Sequence, residues 1–259
     1  MAAVTGALEN KVVIVAGLGG IGNGLARRYF DEGALLVVGD LDGELASRVA
    51  AELDPSGERV HAILLDGADE ASVTSTVALA VDTFGRLDGA HVNFTNADDA
   101  YLPGGVVDLP LDVFDDVMRV NTRGFVICAK HMIPPMIDSG GGSIVFTASI
   151  DAYNGASTRV SYQMSKAAEL ALMRHIARKY GPKGIRANAI APGLIWHYKF
   201  DQTPMPDGIV DQTRARQMIK SRFGEPDDVA ALGALLLSDD GSFITAQTIS
   251  VDGGVTFRP

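Results

Sequence analysis

The amino-acid sequence predicts an α/β fold built on one parallel, doubly wound sheet of about seven strands, with helices on both faces. Two features of the sequence predict this fold. Short runs rich in Val and Ile lack a strict alternation of polar and apolar residues, which is typical of strands buried on both faces. Longer segments with helical periodicity separate these runs, and such alternation favours right-handed crossovers between parallel strands.

Strand and helix patterns alternate along the chain. The predicted strands are Lys11–Ala16, Leu35–Gly39, Val60–Leu65, Gly89–Asn93, Ser143–Thr147, Arg186–Ile190 and Thr248–Val251. The predicted helices are Ile21–Glu32, Gly43–Leu53, Glu70–Phe84, Leu111–Ile137, Val160–Tyr180 and Asp227–Leu237. Asp42 directly precedes the second helix and is its expected N-cap, because a short acidic side chain can accept hydrogen bonds from the free amides of the first turn.

The sequence shows no sign of an internal domain boundary. It contains no low-complexity linker, internal repeat or block of like charge, so we expect a single domain over residues 1–259. One long segment, from Pro192 to Arg222, has no regular pattern and carries several aromatic residues. Because so long a loop in a compact domain is typical of a lid or a binding element, we expect a substrate loop at approximately residues 193–222.

Composition narrows the function classes. The 22 basic residues are outnumbered by 32 acidic ones and form no basic patch, which argues against nucleic acid or an anionic membrane as a partner. No stretch reaches the ~18 uncharged apolar residues of a membrane span, and the first residues lack the basic and apolar regions of a signal peptide. The single cysteine, Cys128, excludes an internal disulfide and suits a reducing compartment, so we expect a cytoplasmic protein.

A glycine-rich turn follows the first predicted strand. Gly17, Gly19 and Gly22 satisfy the pattern G-x-G-x-x-G, and a helix is predicted to begin at Ile21. Glycines let the backbone turn tightly and approach a pyrophosphate, which then lies at the positive end of the helix. A plain glycine-rich turn is the alternative, but the position between a strand and a helix favours a dinucleotide site.

Two carboxylates lie at the ends of the second and third strands. Asp40 comes 18 residues after Gly22, where it can accept hydrogen bonds from both hydroxyls of an adenosine ribose. It would also repel a 2′-phosphate, and neither Leu18 nor Leu41 supplies a positive charge, so the expected cofactor is NAD. Asp66 either reaches the edge of the adenine or serves only as a turn residue.

Tyr162 and Lys166 form the most informative pair in the chain. They stand four residues apart in a predicted helix, so their side chains lie on one face, one turn from each other. The ammonium favours the phenolate and lowers the tyrosine pKa from its usual ~10. Such a pair can exchange a proton with an alcohol or a carbonyl near neutral pH.

Together these features resemble the short-chain dehydrogenase/reductase family, in its single-domain type with a Rossmann-type fold. The resemblance extends from Leu8 to Gly254. The family's catalytic serine lies thirteen residues before the tyrosine, which is Ser149 here, and its active-site asparagine matches Asn121. The run from Asn188 to Gly193 matches the family's turn beside the nicotinamide.

The resemblance implies a catalytic role for each matching residue. In the alcohol-oxidising direction Tyr162, as phenolate, would take the hydroxyl proton while hydride passes to the nicotinamide. Lys166 would stabilise that phenolate and bind the nicotinamide ribose. Ser149 would hydrogen-bond the substrate oxygen and stabilise the charge that develops there. Asn121 would hold a water that links Lys166 to solvent.

The resemblance also implies nicotinamide contacts from the later turn. Pro192 and Gly193 lie in that turn, and Ile195 would offer backbone groups to the carboxamide. His197 stands where the family often has a threonine; it is a substrate contact, a titrating group or, more commonly, a partly exposed loop residue. The histidines of the chain show no metal-ligand spacing, so no metal site is expected.

The sequence departs from the family pattern in its cofactor-binding segments. Ala16 replaces the family's threonine, and the glycine loop is one residue shorter. Only Asn93 remains of the family's Asn-Asn-Ala-Gly, and Gly67 stands where a small apolar residue is common. Because the threonine and asparagine segments support one another in the family, we expect a rebuilt contact rather than a damaged one.

The expected substrate-facing residues are Ser149, Asp151, Tyr153 and Trp196. The run from Trp196 to Phe200 carries three aromatics in five residues, which indicates a hydrophobic substrate. We expect a cyclic, aryl or steroid-like secondary alcohol or ketone. The alternative is that these aromatics pack the loop onto its own domain.

The family analogy also implies a homotetramer, or a homodimer, formed by pairing of the helices Asp112–Ile137 and Val160–Tyr180. Three other functions stay open: a dinucleotide-binding sensor or scaffold without turnover, an NADP-linked carbonyl reductase, and an epimerisation or dehydration on the same scaffold. The four residues Asn121, Ser149, Tyr162 and Lys166 favour plain hydride transfer.

Overall fold

The computed structural model describes residues 6–102, 104–156, 158–198, 200 and 208–257, without the side chains of Ala100 and Tyr101. Its strands are β1 (Val12–Ala16), β2 (Leu35–Asp40), β3 (Val60–Leu64), β4 (Gly89–Val92), β5 (Gly142–Thr147), β6 (Ile185–Pro192) and β7 (Thr248–Val251). They form one parallel sheet in the order β3-β2-β1-β4-β5-β6-β7. The α/β fold class and the seven-stranded parallel sheet are thereby confirmed.

Helices cover both faces of this sheet. In the described residues they are α1 (Ile21–Asp31), α2 (Gly43–Leu53), α3 (Glu70–Phe84), α4 (Leu111–Val117), α5 (Gly124–Asp138), α6 (Val160–Tyr180), α7 (Ile209–Arg216) and α8 (Pro226–Leu237). One apolar core packs α3, α5 and α6 against the sheet, and a second packs α1, α2 and α8 on the opposite face. Two cores on one sheet are what the doubly wound arrangement predicts.

The chain crosses from one side of the sheet to the other between β3 and β4, so that β1 and β4 are neighbours although α1, β2, α2, β3 and α3 separate them in sequence. In open parallel sheets the crevice outside such a switch point, at the carboxyl ends of the strands, is the place for a ligand. The fold therefore predicts that a ligand binds at the loops after β1 and β4.

Most element boundaries agree with the sequence prediction to within two residues, but two predictions were wrong in detail. The helix predicted at Leu111–Ile137 is interrupted by a π-helical turn over Met118–Arg123. The segment from Pro192 to Arg222, predicted as irregular, contains α7, which has no buried residue and therefore no apolar periodicity to reveal it. Asp42 caps α2 as predicted, since its side chain accepts hydrogen bonds from the amides of Glu44 and Leu45.

Among the described helices, none combines the length and the apolar character needed to cross a membrane.

Candidate active site

A cleft of about 620 Å³ lies at the carboxyl ends of the strands. Of the residues predicted from the sequence, it brings together Gly17, Gly19, Ile21, Asp40, Asp66, Gly67, Asn93, Ser149, Tyr162, Lys166, Pro192 and Gly193. The remaining predicted site residues, which are Gly22, Asn121, Asp151, Tyr153, Ile195 and Trp196, do not line this cleft. The cleft therefore runs from the end of β2 across the switch point to β5, β6 and α6.

The glycine loop has no room for side chains. Gly17 has φ +97°, and a Cβ there would lie 2.6 Å from the backbone nitrogen of Phe94. A Cβ on Gly22 would lie 2.0 Å from the carbonyl oxygen of Gly17, so this glycine lets α1 pack closely behind the loop. α1 begins at Ile21, which lines the cleft, and the first amides of a helix have no partner within it, so they can bind an anion.

Asp40 ties the end of β2 to this loop. Its Oδ2 accepts hydrogen bonds from the amides of Leu18 at 2.6 Å and Gly19 at 3.2 Å, and its Oδ1 accepts one from the amide of Asp42 at 2.9 Å. The carboxylate lines the cleft beside the loop. These contacts hold a negative charge at the outer end of the cleft.

Asn93 makes the contact that replaces the family's threonine-asparagine pairing. Its Nδ2 donates to the carbonyl oxygen of Gly17 at 3.0 Å, and the amides of Asn93 and Phe94 both donate to the carbonyl oxygen of Ala16. The loops after β1 and β4 are therefore joined largely through the backbone, so a threonine at position 16 is not needed for this contact.

Phe94 and Gly67 are complementary. A Cβ on Gly67 would lie 2.2 Å from Cζ of Phe94, so the aromatic ring occupies the space that a larger residue at 67 would need. The ring packs edge-on against Phe125, with 5.1 Å between centroids. Asp66, just before, accepts a hydrogen bond from the amide of Ala68 through Oδ1, which is the turn role considered above, and it also lines the cleft.

Tyr162 and Lys166 meet Ser149 at the other end of the cleft. The amide of Tyr162, in the first turn of α6, donates to Oδ2 of Asp99 at 3.0 Å. Lys166 Nζ lies 5.6 Å from the centroid of the Tyr162 ring and donates to the backbone oxygen of Thr147 at 2.9 Å. Ser149 follows β5, and its Oγ accepts a hydrogen bond from the amide of Asp151 at 3.1 Å.

Asn121 is fully buried in the π-helical turn. Its Oδ1 accepts from the amide of Asn96, and its Nδ2 donates to the carbonyl oxygen of Asn96 and to Oγ of Ser165. The side chain thus joins the loop after β4 to the residue that precedes Lys166. Asn121 therefore positions neighbouring residues and does not itself line the cleft.

Of the predicted substrate residues, Ser149 lines the cleft, whereas Asp151, Tyr153 and Trp196 do not. Asp151 forms an ion pair with Arg159 at 3.1 Å, and burial raises the pKa of its carboxyl. The hydroxyl of Tyr153 is hydrogen-bonded to Oγ of Ser250. Trp196 is 36% exposed and stacks on Phe223 at 5.8 Å, so at least part of its ring packs the loop onto its own domain. Lys199 and residues 201–207 of the predicted substrate loop lie outside the described residues.

Backbone contacts with neighbouring segments hold the turn after β6 in place. The amide of Gly193 donates to the carbonyl oxygen of Val251, and a Cβ there would lie 2.8 Å from Cβ of Asp252. Ile195 forms a bridge with Gly224, and the next amide, of Trp196, donates to the carbonyl oxygen of Gly224. These contacts fix the backbone where the chain leaves the sheet.

Comparisons with known proteins agree with this architecture. The family model adh_short_C2, described as enoyl-(acyl carrier protein) reductase, matches residues 15–256. The 7alpha-hydroxysteroid dehydrogenase of Bacteroides fragilis is 35% identical over 255 residues, which cover 96% of both chains. A probable short-chain type dehydrogenase/reductase of Bradyrhizobium diazoefficiens is 37% identical over 256 residues, 96% of this chain and 89% of that one.

The chain belongs to the short-chain dehydrogenase/reductase family. Another relative is the meso-2,3-butanediol dehydrogenase of Serratia marcescens, 34% identical over 252 residues, 96% of this chain and 95% of that one. The solved structure of a 7 alpha-hydroxysteroid dehydrogenase complexed with NADH and 7-oxo glycochenodeoxycholic acid is similar, with a TM-score of 0.87 and 28% identity over 98% of both chains. As a short-chain dehydrogenase/reductase, the protein is an oxidoreductase that interconverts alcohols and ketones with a nicotinamide dinucleotide.

The described residues of this short-chain dehydrogenase/reductase fit such a cofactor. The glycine loop excludes Cβ atoms at Gly17 and Gly22, which leaves space for a pyrophosphate near the N-terminus of α1. Asp40 stands at the end of β2, where an adenosine ribose is bound in this fold.

Three residues near the cleft were missed or underestimated from the sequence. The ring of Phe94 fills the space above Gly67, a role that was not predicted from the sequence. His197 lines the cleft: a Cβ on Gly20 would lie 3.0 Å from its Nε2, and its ring stacks on Phe200 at 4.1 Å. Glu169, which bonds Lys166, was not considered at all, although a carboxylate three residues after the lysine on one helix face was the available signal.

Proposed function

We propose that this protein is an NAD-dependent dehydrogenase, folded as one domain over residues 1–259, that interconverts a secondary alcohol and a ketone with Tyr162 as general acid/base. One observation carries the proposal. Tyr162, Lys166 and Ser149 line the same cleft as the glycine loop and Asp40, so an acid/base group and a dinucleotide site share one crevice.

Each residue of the cleft has a separate role in the proposed reaction. The bound dinucleotide supplies the hydride acceptor, or the hydride donor in the reverse direction. In oxidation the Tyr162 phenolate accepts the alcohol proton, and the positive charge of Lys166 stabilises that phenolate. Ser149 donates a hydrogen bond to the substrate oxygen.

The positioning residues support this arrangement from outside the cleft. Asn121 donates a hydrogen bond to Ser165 and so holds the first turns of α6 in place. In that position Lys166 faces the cleft. The family analogy implies that it also faces the proton relay to solvent. The proposed contacts with the nicotinamide come from the backbone of Pro192, Gly193 and Ile195. The proposed contacts with the adenosine and the phosphates come from Ile21, Asp66, Gly67 and Asn93.

We infer NAD rather than NADP from Asp40. Two loop amides and the amide of Asp42 hold its carboxylate in the cleft. A 2′-phosphate there would meet a negative charge, whereas ribose hydroxyls can donate hydrogen bonds to it.

We infer a hydrophobic substrate, of the cyclic, aryl or steroid-like kind, from the half-exposed aromatic loop around Trp196. The relative named 7alpha-hydroxysteroid dehydrogenase supports this class, whereas the one named meso-2,3-butanediol dehydrogenase points to a small diol. Asp151, Tyr153 and Trp196 are the proposed contacts besides Ser149.

We further infer a homotetramer, or a homodimer, in the cytoplasm. An apolar groove between α5 and α6, lined by residues such as Val126, Ile133 and Leu172, supports an interface between copies. The single thiol, of Cys128, is buried, and burial raises its pKa to about 12, which keeps it protonated in any cellular compartment.

The test is NADH formation across a panel of alcohols that includes hydroxysteroids, aryl carbinols, cyclic alcohols, small diols and sugars. We expect turnover on hydrophobic secondary alcohols. Turnover confined to diols or sugars would contradict the substrate class, and dinucleotide binding without turnover on any member would favour a sensor.

A further inference from the structure

A buried carboxylate lies beside the lysine of the cleft and has no part in the mechanism above. Glu169 is 1% exposed and stands three residues after Lys166 on α6. Lys166 Nζ donates to Glu169 Oε1 at 2.9 Å and to Oε2 at 3.2 Å, besides its bond to the backbone of Thr147. Both charged groups are withdrawn from water and paired with each other.

We propose that Glu169 is a positioning residue that acts through Lys166 and sets the pH range in which Tyr162 exchanges a proton with the substrate. The inference rests on the proposed function. Lys166 favours the Tyr162 phenolate only through its positive charge. A carboxylate on the same ammonium offsets that charge when it is ionised and leaves it intact when it is protonated.

The surroundings of Glu169 make Lys166 the charged group that acts on it within the described residues. β5 presents the backbone of Thr147, whose hydroxyl is hydrogen-bonded to His91 of β4 at 2.8 Å. Burial lowers the pKa of His91 to about 3, so its ring is neutral at neutral pH. The π-helical turn reaches this part of α6 through the uncharged Asn121.

Other charges lie around Tyr162 rather than around Glu169. The carboxylate of Asp99 accepts a hydrogen bond from the amide of Tyr162, and the guanidinium of Arg159 lies 4.3 Å from the centroid of the Tyr162 ring. Arg159 is itself paired with Asp151. Substitutions at Glu169 leave all three in place, so a change in the titration of Tyr162 reports on the Lys166–Glu169 pair.

The sign of the effect follows from the burial of Glu169. Burial raises the pKa of Glu169 to about 7, although Lys166 opposes the shift, so the carboxylate is ionised in the alkaline range where a phenol titrates. Replacing it with an amide removes a negative charge near Tyr162. The phenolate is then stabilised, so the variant should form it at lower pH, by on the order of one pH unit for the loss of one nearby charge.

The test is an ultraviolet titration of phenolate in the protein without substrate. Subtracting the titration of the same variant carrying Tyr162→Phe isolates one phenol among the six tyrosines. We expect Glu169→Gln to lower the apparent pKa of Tyr162 by about one pH unit, and Glu169→Asp, which keeps the charge, to return it towards the wild-type value. An unchanged titration in Glu169→Gln would overturn the proposal.

Two further arms separate this proposal from a packing role and from the proposed function. In a Lys166→Met background the carboxyl of Glu169 loses the cation that favours its ionisation, so Glu169→Gln should lower the apparent pKa of Tyr162 by less than it does beside Lys166; an equal shift there would rule out action through Lys166. If Glu169→Gln does not fold, Glu169→Met removes the charge with a side chain of similar size. Because the titration needs no turnover, an inactive wild type that shows the shift would count against the proposed function alone.

Discussion

Asp40 holds a loop together and, in the proposed function, also selects the cofactor. Its carboxylate accepts hydrogen bonds from the amides of Leu18 and Gly19, so the loop proposed to bind the pyrophosphate is held by the group proposed to bind the ribose. Its neighbour Asp42 carries the same charge but points its side chain at the first amides of α2. The two acids therefore form a natural pair for comparison.

Asp40→Asn is expected to lower the preference for NAD over NADP at least about tenfold in kcat/KM, about 1.4 kcal/mol. The substitution removes the charge that repels a 2′-phosphate and weakens the acceptor for the ribose hydroxyls. Initial rates with both dinucleotides measure it, with Asp42→Asn as the matched control. An unchanged preference in Asp40→Asn, or an equal change in Asp42→Asn, would contradict the role of Asp40.

At the scale of single residues, the sequence could predict residues whose role follows from the local backbone. It could not predict residues whose role depends on burial in the folded core. Gly17 and Gly22 were predictable because a strand-to-helix turn of that shape requires glycines wherever it occurs. The spacing of Glu169 from Lys166 indicated a pair on one helix face, but not its burial, because a glutamate in a helix is ordinarily solvated and only the folded core encloses it with Lys166.

At the scale of elements, the ends of β3 and β4 are fitted to each other. Gly67 and Phe94 both depart from the family pattern, and the structure explains the two departures together, because the ring occupies the space of the missing side chain. Sequence reasoning could not join them, since the residues lie far apart in the chain and meet only through the sheet order.

Gly67→Ala is expected to destabilise the protein by about 1–3 kcal/mol, because its Cβ would overlap Phe94. In combination with Phe94→Ala the penalty should largely disappear, giving a coupling of about 1–2 kcal/mol in urea unfolding. Gly105→Ala is the matched control, since a Cβ there meets nothing within 4 Å, and it should add to Phe94→Ala without coupling. Strict additivity of Gly67→Ala and Phe94→Ala would show that the two loops are not fitted to each other.

The π-helical turn is an element that the sequence could not reveal. The predicted helix was correct at both ends to within one residue, yet the turn over Met118–Arg123 places Asn121 in the interior, where its amide joins two other segments. Helical periodicity in the sequence does not distinguish an α turn from a π turn.

At the scale of the whole molecule, the alternation of strand and helix segments predicted the sheet, because the inner strands are buried between helices on both faces. The assembly of copies cannot be read from that pattern. An apolar stripe on α5 or α6 serves a core as well as an interface. Val126, on α5, is 46% exposed in the single chain and lies at the groove proposed as an interface.

Val126→Glu is expected to shift the protein to a smaller species, because a charge buried without a partner in an interface is costly. Light scattering coupled to size-exclusion chromatography measures the mass. Val107→Glu, at a position that is 92% exposed, is the control and should keep the native mass. A native mass for Val126→Glu would place the interface elsewhere, and a monomeric wild type would contradict the oligomer.

In the proposed function, the crevice formed by the whole sheet brings a dinucleotide to the proton-transferring Tyr162. The most direct measurement compares Tyr162→Phe with the wild type in NADH formation and in dinucleotide binding, with Tyr180→Phe as control. We predict that Tyr162→Phe lowers kcat about 10²–10⁴-fold, while the Kd for NAD and the activity of Tyr180→Phe stay near wild-type values. Turnover by Tyr162→Phe at the wild-type rate would contradict the account.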